Sequence, residues 1–417
     1  MARKPKIERF NEKILSRFQI YNSLFLTLPF KGIKQTSILM PLFADHCRKQ
    51  YENNVNPNEI VISFFKKYAP EFDTIKKQDL IFSFIQYIER QVVLFDAIED
   101  AGFSYVNNMH GRGTLRNMKE EAENKQLKKA LSEYVNRFKV RIVLTAHPTQ
   151  FYPDNVLVII NELSKAIAED NLDNIKKLLV QLGKTPFYKK KKPTPYDEAV
   201  SLVWFLENIF YHSASTIYNY IAEHITDSND LKNSIFDFGF WPGGDRDGNP
   251  FVTPEITLKT AKRLKFSILR NYYRDLRKLK RKITFPGLED RIEALEELVF
   301  NELFYPKKNK LFSINYITSE LEFVLDGLTK DHDNLYRNEV LDLIHKLRLF
   351  GLHFASLDIR QDSRIHHNVF IDIISHSKIN EYLEGLPKDY LKLNDKERCK
   401  VLLDLKGDLP PKIFKNE

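Results

Sequence analysis

Three short stretches of this chain end in residues that could carry chemistry. VRIVLTAH, residues 140–147, closes on His147 immediately before Pro148. An imidazole exchanges a proton near neutral pH and so can act as acid or base. The proline disfavours helix at the residue before it, so His147 is expected to be held extended at a strand end. HFASLDIRQ, residues 353–361, closes on Arg360. Its guanidinium offers a planar fork of donors suited to phosphate or carboxylate. Between them, FDFGFWPGGDRDGNP, residues 236–250, carries Trp241 and a loop of glycines and acids. Each has a plainer alternative: His147 as a core histidine bonded to a carbonyl, the loop as a salt-bridged brace, Arg360 as the partner of Asp358 or Asp362.

The GGDRDGNP loop invites two motif readings that its own residues refuse. Gly243 and Gly248 are spaced as in a phosphate loop, but Asn249 and Pro250 stand where lysine and a hydroxyl must follow. Asp245, Asp247 and Asn249 alternate as in a calcium loop, yet Pro250 and Ile256 occupy the positions of the obligatory Gly and Glu. What remains is a backbone that glycines let approach an anion, with Asp245 and Asp247 orienting Arg246. The other histidines form no metal set: His366 and His367 are adjacent and no HExxH occurs.

The elements that must position these residues are mostly helical. Fourteen glycines in 417 residues, against 31 Phe and 19 Tyr, argue for helices over a turn-rich β fold. Ile81, Phe84, Ile85, Ile88, Val92 and Phe95 recur at helical steps over 77–100. Thr194, Pro195 and Asp197 open a helix over 194–220 as cap, first-turn proline and first-turn acid. Thr253 and Pro254 open another over 253–283, with Leu264, Ile268, Tyr272, Leu276 and Leu279 as its buried stripe. Further helices fit 115–136, 154–182, 289–303, 316–328 and 336–350. In the third strand, Ala355, Leu357 and Ile359 make one face and Phe354, Ser356, Asp358 and Arg360 the other. Three short strands separated by about a hundred residues of helix fit a mostly α chain with a partial parallel β/α barrel of the TIM type, interrupted by large helical insertions. A helical region over 1–139 and a barrel part over 140–417 is the expected division.

The net charge of +8 has a local source. Residues 259–282 carry eleven Lys or Arg and one Asp. Such a stripe can bind nucleic acid, but a solvated or acid-paired face is the simpler outcome, and the aromatics Phe266, Tyr272 and Tyr273 belong mostly to the buried stripe. No apolar run is long enough to span a bilayer. Cys47 and Cys399 are isolated, so no disulfide framework or cysteine zinc site follows, and a cytoplasmic protein is expected. The N-terminus mixes both charge signs without a clean apolar core, so no secretory signal is expected.

Taken together, LTAHPT at 144–149, KPTPYDEA at 192–199, FWPGGDRDGNPFVTPE at 240–255 and SLDIRQDS at 356–363 resemble phosphoenolpyruvate carboxylase in order and spacing. The resemblance implies an enzyme that makes oxaloacetate from phosphoenolpyruvate and bicarbonate with Mg²⁺ or Mn²⁺, by way of carboxyphosphate and a pyruvate enolate. It implies His147 as the essential histidine of the carboxyphosphate step and Arg360 as the group that binds the phosphoryl or bicarbonate anion. Trp241 would line the bicarbonate pocket, with Asp245, Arg246, Asp247 and Asn249 completing the substrate-binding set. Two departures stand out: Gln150-Phe151 where many members carry Glu and then basic residues, and Asp362 in place of Glu. The family's metal-binding acids, catalytic lysine and mobile Gly/Arg loop belong to its C-terminal half, so no metal ligand is expected here. The chain is therefore expected to be the N-terminal portion, inactive alone, of a homotetramer when full length.

Overall fold

The computed structural model describes residues 4–28, 33–145, 152–187, 193–226, 231, 233–247, 249–306, 312–376 and 378–409. The longest helix, α1 (Thr74–Val106), starts at Asp73, whose carboxylate accepts from the Lys76 amide at 2.8 Å. It buries Leu80, Phe84, Tyr87, Leu94, Ala97 and Ile98. The expected stripe shares only Phe84 with this set, because Ile85, Ile88 and Val92 lie close to half exposed. The buried face is centred on Tyr87 and Arg90, which a hydrophobicity pattern scores as polar. Arg90 is buried because its guanidinium donates to the carbonyls of Leu182 and Thr185, 3.1 and 2.9 Å away.

β1 (Val140–Leu144) follows two short helices, Leu115–Asn124 and Lys128–Arg137, where one had been expected. The 154–182 helix is likewise two, α2 (Asp154–Ala168) and α3 (Leu172–Lys184). Both breaks sit at a residue of positive φ, Gln126 and Asp170, and Asn171 caps the second helix of its pair. Leu163, Ile167, Ile175 and Leu179 pack with Leu94, Ala97 and Ile98 of α1. The connection leaving β1 therefore joins the N-terminal helices before it returns to the sheet.

That return is α4 (Pro195–Phe205), a π-helical turn at Leu206–Phe210, and α5 (Tyr211–His224). The Thr194 hydroxyl accepts from the Asp197 amide and the Asp197 carboxylate accepts from the Thr194 amide, closing the capping box. β2 (Phe236–Phe240) is followed by α6 (Pro254–Lys280), whose expected stripe is buried in full. α7 (Glu289–Phe304), α8 (Ile314–Asp331) and α9 (Arg337–Phe350) then lead to β3 (Ser356–Leu357).

The basic run on α6 is met by acids of its neighbours. Lys265 pairs with Glu302 at 2.6 Å, Lys280 with Glu293 at 2.7 Å and Lys282 with Glu339 at 2.9 Å. Arg270 pairs with Glu207 of the π-helical turn. Several cations of the stripe thus face acids of the same chain, which is the acid-paired face that the sequence offered as the simpler outcome.

All three strands are parallel in the order β1-β2-β3, with Arg141 opposite Asp237, Val143 opposite Gly239, and Gly239 opposite Ser356. Leu144, Phe238 and Phe240 are buried in the core with the helices, and Ile142 packs against it. Arg141, Asp237 and Asp358 belong to the opposite, polar face. The described residues form this open sheet and no closed barrel. β3 is shorter than the sequence suggests. Phe354, at φ 64°, turns into the core against Phe350 and Tyr211 and does not join the polar face, while Ile359 is 58% exposed.

Behind the sheet lies a buried charged cluster. Lys346 of α9 pairs with Asp275 of α6 at 2.9 Å and with Asp342 at 2.7 Å. Ser215 and Asn219 of α5 each donate to Asp342 at 2.6 Å. His345 Nδ1 meets Asn219 Oδ1 at 2.6 Å. Burial, aided by Arg348, pushes the His345 imidazole down to about 4. An unfolded histidine takes its proton near pH 6.5, so stability is lost as pH falls from there toward 4, by about 3 kcal/mol in all. His345→Gln is expected to flatten this acid limb. A denaturation series over that range that shows the same slope in both proteins would refute it.

Candidate functional site

The GGDRDGNP loop begins as a continuation of β2. The Trp241 amide donates to the Leu144 carbonyl at 2.9 Å, and the Gly244 and Asp245 amides both turn back to the Trp241 carbonyl at 2.9 Å. Two glycines make the turn possible. Gly243 sits at φ +79°, where a Cβ would also lie 2.2 Å from Thr260 Oγ1. A Cβ on Gly244 would lie 2.3 Å from the Asp358 carbonyl oxygen. The loop can therefore press against the end of β3 and pair with it: Arg360 N donates to Gly244 O at 3.1 Å, and Arg246 N to Arg360 O at 2.8 Å.

This pairing brings Asp245 beside Arg360, with Arg360 Nη1 3.1 Å from Asp245 Oδ2. The same guanidinium lies 4.2 Å from the centroid of the Trp241 ring. The Trp241 indole donates from Nε1 to Asp358 Oδ2 at 3.2 Å. Asp358 Oδ1 accepts from Arg141 Nη2 at 2.6 Å, and Arg141 Nη1 donates to Asp237 at 2.9 Å. One line of contacts thus crosses all three strands, from Arg141 and Asp237 near the start of β1 and β2 to Trp241, Asp245 and Arg360 beyond the carboxyl ends of β2 and β3, the end where parallel β/α sheets hold their ligands.

Several partnerships differ from those expected. Asp245 serves Arg360, whereas Arg246 turns away and donates from Nη2 to Thr257 Oγ1 at 3.1 Å. The Thr257 hydroxyl in turn donates to the Gly243 carbonyl at 2.7 Å, tying the loop to α6. The Asp247 amide donates to Asp245 Oδ1 at 3.4 Å, at the periphery of this pairing. Asn249 accepts from the Phe251 amide at 3.1 Å, an Asx turn leading into α6. Neither alternative for Arg360 holds, because Asp358 is taken by Arg141 and Asp362 pairs with Arg364 at 2.6 Å. His147 and Gly248 lie outside the described residues, while Thr145, at the end of β1, is the last described residue before His147.

Arg141 escaped the sequence reading altogether. Its signal was a lone guanidinium in a β-branched strand, but nothing in the sequence tells which acids it reaches. Chemically, the arrangement is a half-open cation backed by an aromatic face, with a carboxylate on one nitrogen of its fork. It suits an anion that binds through the remaining donors. Among the described residues, no three His, Cys, Asp or Glu side chains gather where they could hold a metal ion. They offer no fit for Mg²⁺ or Mn²⁺.

The family model for phosphoenolpyruvate carboxylase matches residues 99–302 and 286–411. Among curated relatives, the phosphoenolpyruvate carboxylase of Aeromonas hydrophila is 24% identical over 302 residues, covering 62% of this chain and 34% of its own length. That of Shewanella loihica is 25% identical over 297 residues, covering 60% and 34%. That of Prochlorococcus marinus is 25% identical over 346 residues, covering 65% and 34%. The chain thus spans about a third of the length of the curated relatives it matches. With the family match running through the strands, the loop and Arg360, this chain belongs to the phosphoenolpyruvate carboxylase family.

Proposed function

We propose that this chain is the N-terminal part of a phosphoenolpyruvate carboxylase, which forms oxaloacetate and phosphate from phosphoenolpyruvate and bicarbonate. The observation that carries the proposal is Arg360, held by Asp245 over the face of Trp241 at the carboxyl end of a parallel strand. Both substrates are anions, and charge moves between them as carboxyphosphate and enolate form. A fixed cation in a preset place stabilises such charge without reorganising. Arg360 binds the phosphoryl or bicarbonate group and Trp241 walls its pocket. Asp245, Arg246, Asp247 and Asn249 shape the loop around it. His147 handles the proton of the carboxyphosphate step.

In this proposal the three strands are part of a TIM-type barrel, with residues 1–139 as a helical region ahead of the barrel part at 140–417. The rest of the polypeptide closes the barrel and supplies the acids for a divalent metal, so no step is assigned to the metal here. The complete enzyme is a cytoplasmic homotetramer that binds neither membrane nor nucleic acid. No described helix is long and apolar enough to cross a membrane.

Two assays test the proposal. The 417-residue chain, supplied with phosphoenolpyruvate, bicarbonate and Mg²⁺, is expected to give no oxaloacetate. The product of the coding sequence extended beyond Glu417 is expected to give it in a bicarbonate-dependent way. Turnover by the shorter chain would overturn the division of labour. A complete polypeptide without turnover would overturn the enzyme.

A further inference from the structure

We propose that Arg141 and Asp358 are positioning residues that set the plane of Trp241 and, through it, the guanidinium of Arg360. The role in catalysis rests on the carboxylase reading, whereas the positioning itself does not. An arginine on β1 that contacts β3 must cross β2, a span of about 10 Å over two strand spacings. It crosses at Gly239. A Cβ there would lie 3.1 Å from Arg141 Nε, 3.2 Å from Arg141 Nη2 and 3.1 Å from Asp358 Oδ2. The glycine is therefore a lane kept open for a side chain. Once across, the fork divides, with Nη1 on Asp237 and Nη2 on Asp358.

Asp358 divides its oxygens in the same manner, Oδ1 to Arg141 and Oδ2 to the Trp241 indole. An indole has one N–H donor, so this bond selects its ring orientation. The ring then supports Arg360 from below at 4.2 Å, while Asp245 holds the guanidinium from its edge. Arg141 touches neither Trp241 nor Arg360 in these contacts and acts only through Asp358. Arg141 and Asp358 keep 42% and 30% of their side chains exposed, so their ion pair adds little to stability. The expected consequence of losing it is a change in geometry with the fold retained.

The chain has two tryptophans, so Trp204→Phe leaves Trp241 as its only indole. In that background, Arg141→Gln and Gly239→Ala are each expected to red-shift Trp241 emission and increase its quenching by acrylamide. The unfolding midpoint of Arg141→Gln should stay near the parent's. Gly239→Ala closes the lane without changing a charge. Should it fail to fold, Arg141→Gln decides alone. Unchanged emission and quenching in a folded Arg141→Gln variant would overturn the proposal. In the complete enzyme, Arg141→Gln should lower kcat/KM for phosphoenolpyruvate by about tenfold or more, as expected when a binding group is slightly misplaced. The paired exchange Arg141→Asp with Asp237→Arg keeps both charges at the same level of the sheet and puts the arginine on β2, one strand nearer Asp358, and should restore most of the loss. An unchanged kcat/KM in active enzyme would overturn the catalytic part. If even the unaltered complete polypeptide lacks carboxylase activity, the enzyme assignment fails and the fluorescence result still decides the positioning.

Discussion

His147→Asn in the complete enzyme is expected to lower oxaloacetate formation by about 10²–10⁴-fold, the usual worth of a positioned acid or base. Asparagine keeps a hydrogen-bonding group of similar reach but cannot exchange a proton near neutral pH. The products locate the step. If phosphoenolpyruvate is still cleaved and pyruvate accumulates, His147 acts after carboxyphosphate forms. If both products vanish, it acts earlier. Arg360→Lys should behave differently. The ammonium is a point charge with neither a flat face for the Trp241 ring nor a fork to share between Asp245 and a substrate. Both KM and kcat should suffer, because in the proposed role the cation contacts the anion before and during the reaction. Near-normal carboxylation by His147→Asn at saturating bicarbonate would remove His147 from the site.

The second large effect is on stability. Lys346→Met is expected to cost about 3–5 kcal/mol, the penalty for breaking a buried charge network from one side. Burial alone would push the carboxyls of Asp275 and Asp342 up, but Lys346 and its neighbours hold both below the usual aspartate value. Burial would likewise push Lys346 down, and the two aspartates reverse this and raise it. The aspartate contribution is therefore present above about pH 3.8 and lost as pH falls through the lowered values. The lysine contribution is present below about pH 10.4 and lost as pH rises through the raised value. With the ammonium gone, Asp342 keeps the neutral donors Ser215 and Asn219 but loses its buried cation, and Asp275 keeps the Tyr211 hydroxyl at 2.9 Å and the more exposed Lys278 at 3.0 Å. Adding Asp275→Asn and Asp342→Asn to Lys346→Met should recover a good part of the loss, since neutral amides tolerate burial better than unpaired charge. A denaturant midpoint for the single variant close to the parent's would show that the cluster is hydrated and carries little.

Much of this molecule was readable from local chemistry. Helix starts at Thr194 and Thr253 were legible because a cap and a first-turn proline act within one turn of chain. The buried stripe of α6 was legible because five apolar residues repeat at the helical period without interruption. The strand Phe236–Phe240 followed from alternation, and the loop after it from its glycines and acids. These signals depend on neighbours a few residues apart, so they survive in the sequence alone.

Pairing across the chain was not legible in that way. Asp245 adjoins Arg246 in sequence yet serves Arg360, because Gly243 and Gly244 let the loop fold onto β3 and carry the carboxylate there. The buried side of α1 was set by α2 and α3 packing upon it, which covers Arg90 and leaves Ile85 exposed. The breaks at Gln126 and Asp170 carry no proline or glycine, so only the tertiary turn shows why the chain takes positive φ there. Arg141 illustrates the point most fully. Its type was visible from the start, but its reach over Gly239 to Asp358 exists only once three strands, drawn from widely separated parts of the chain, lie side by side. Local conformational preferences are encoded within a turn or two, whereas the partner of a charge is decided by whatever the completed packing places beside it.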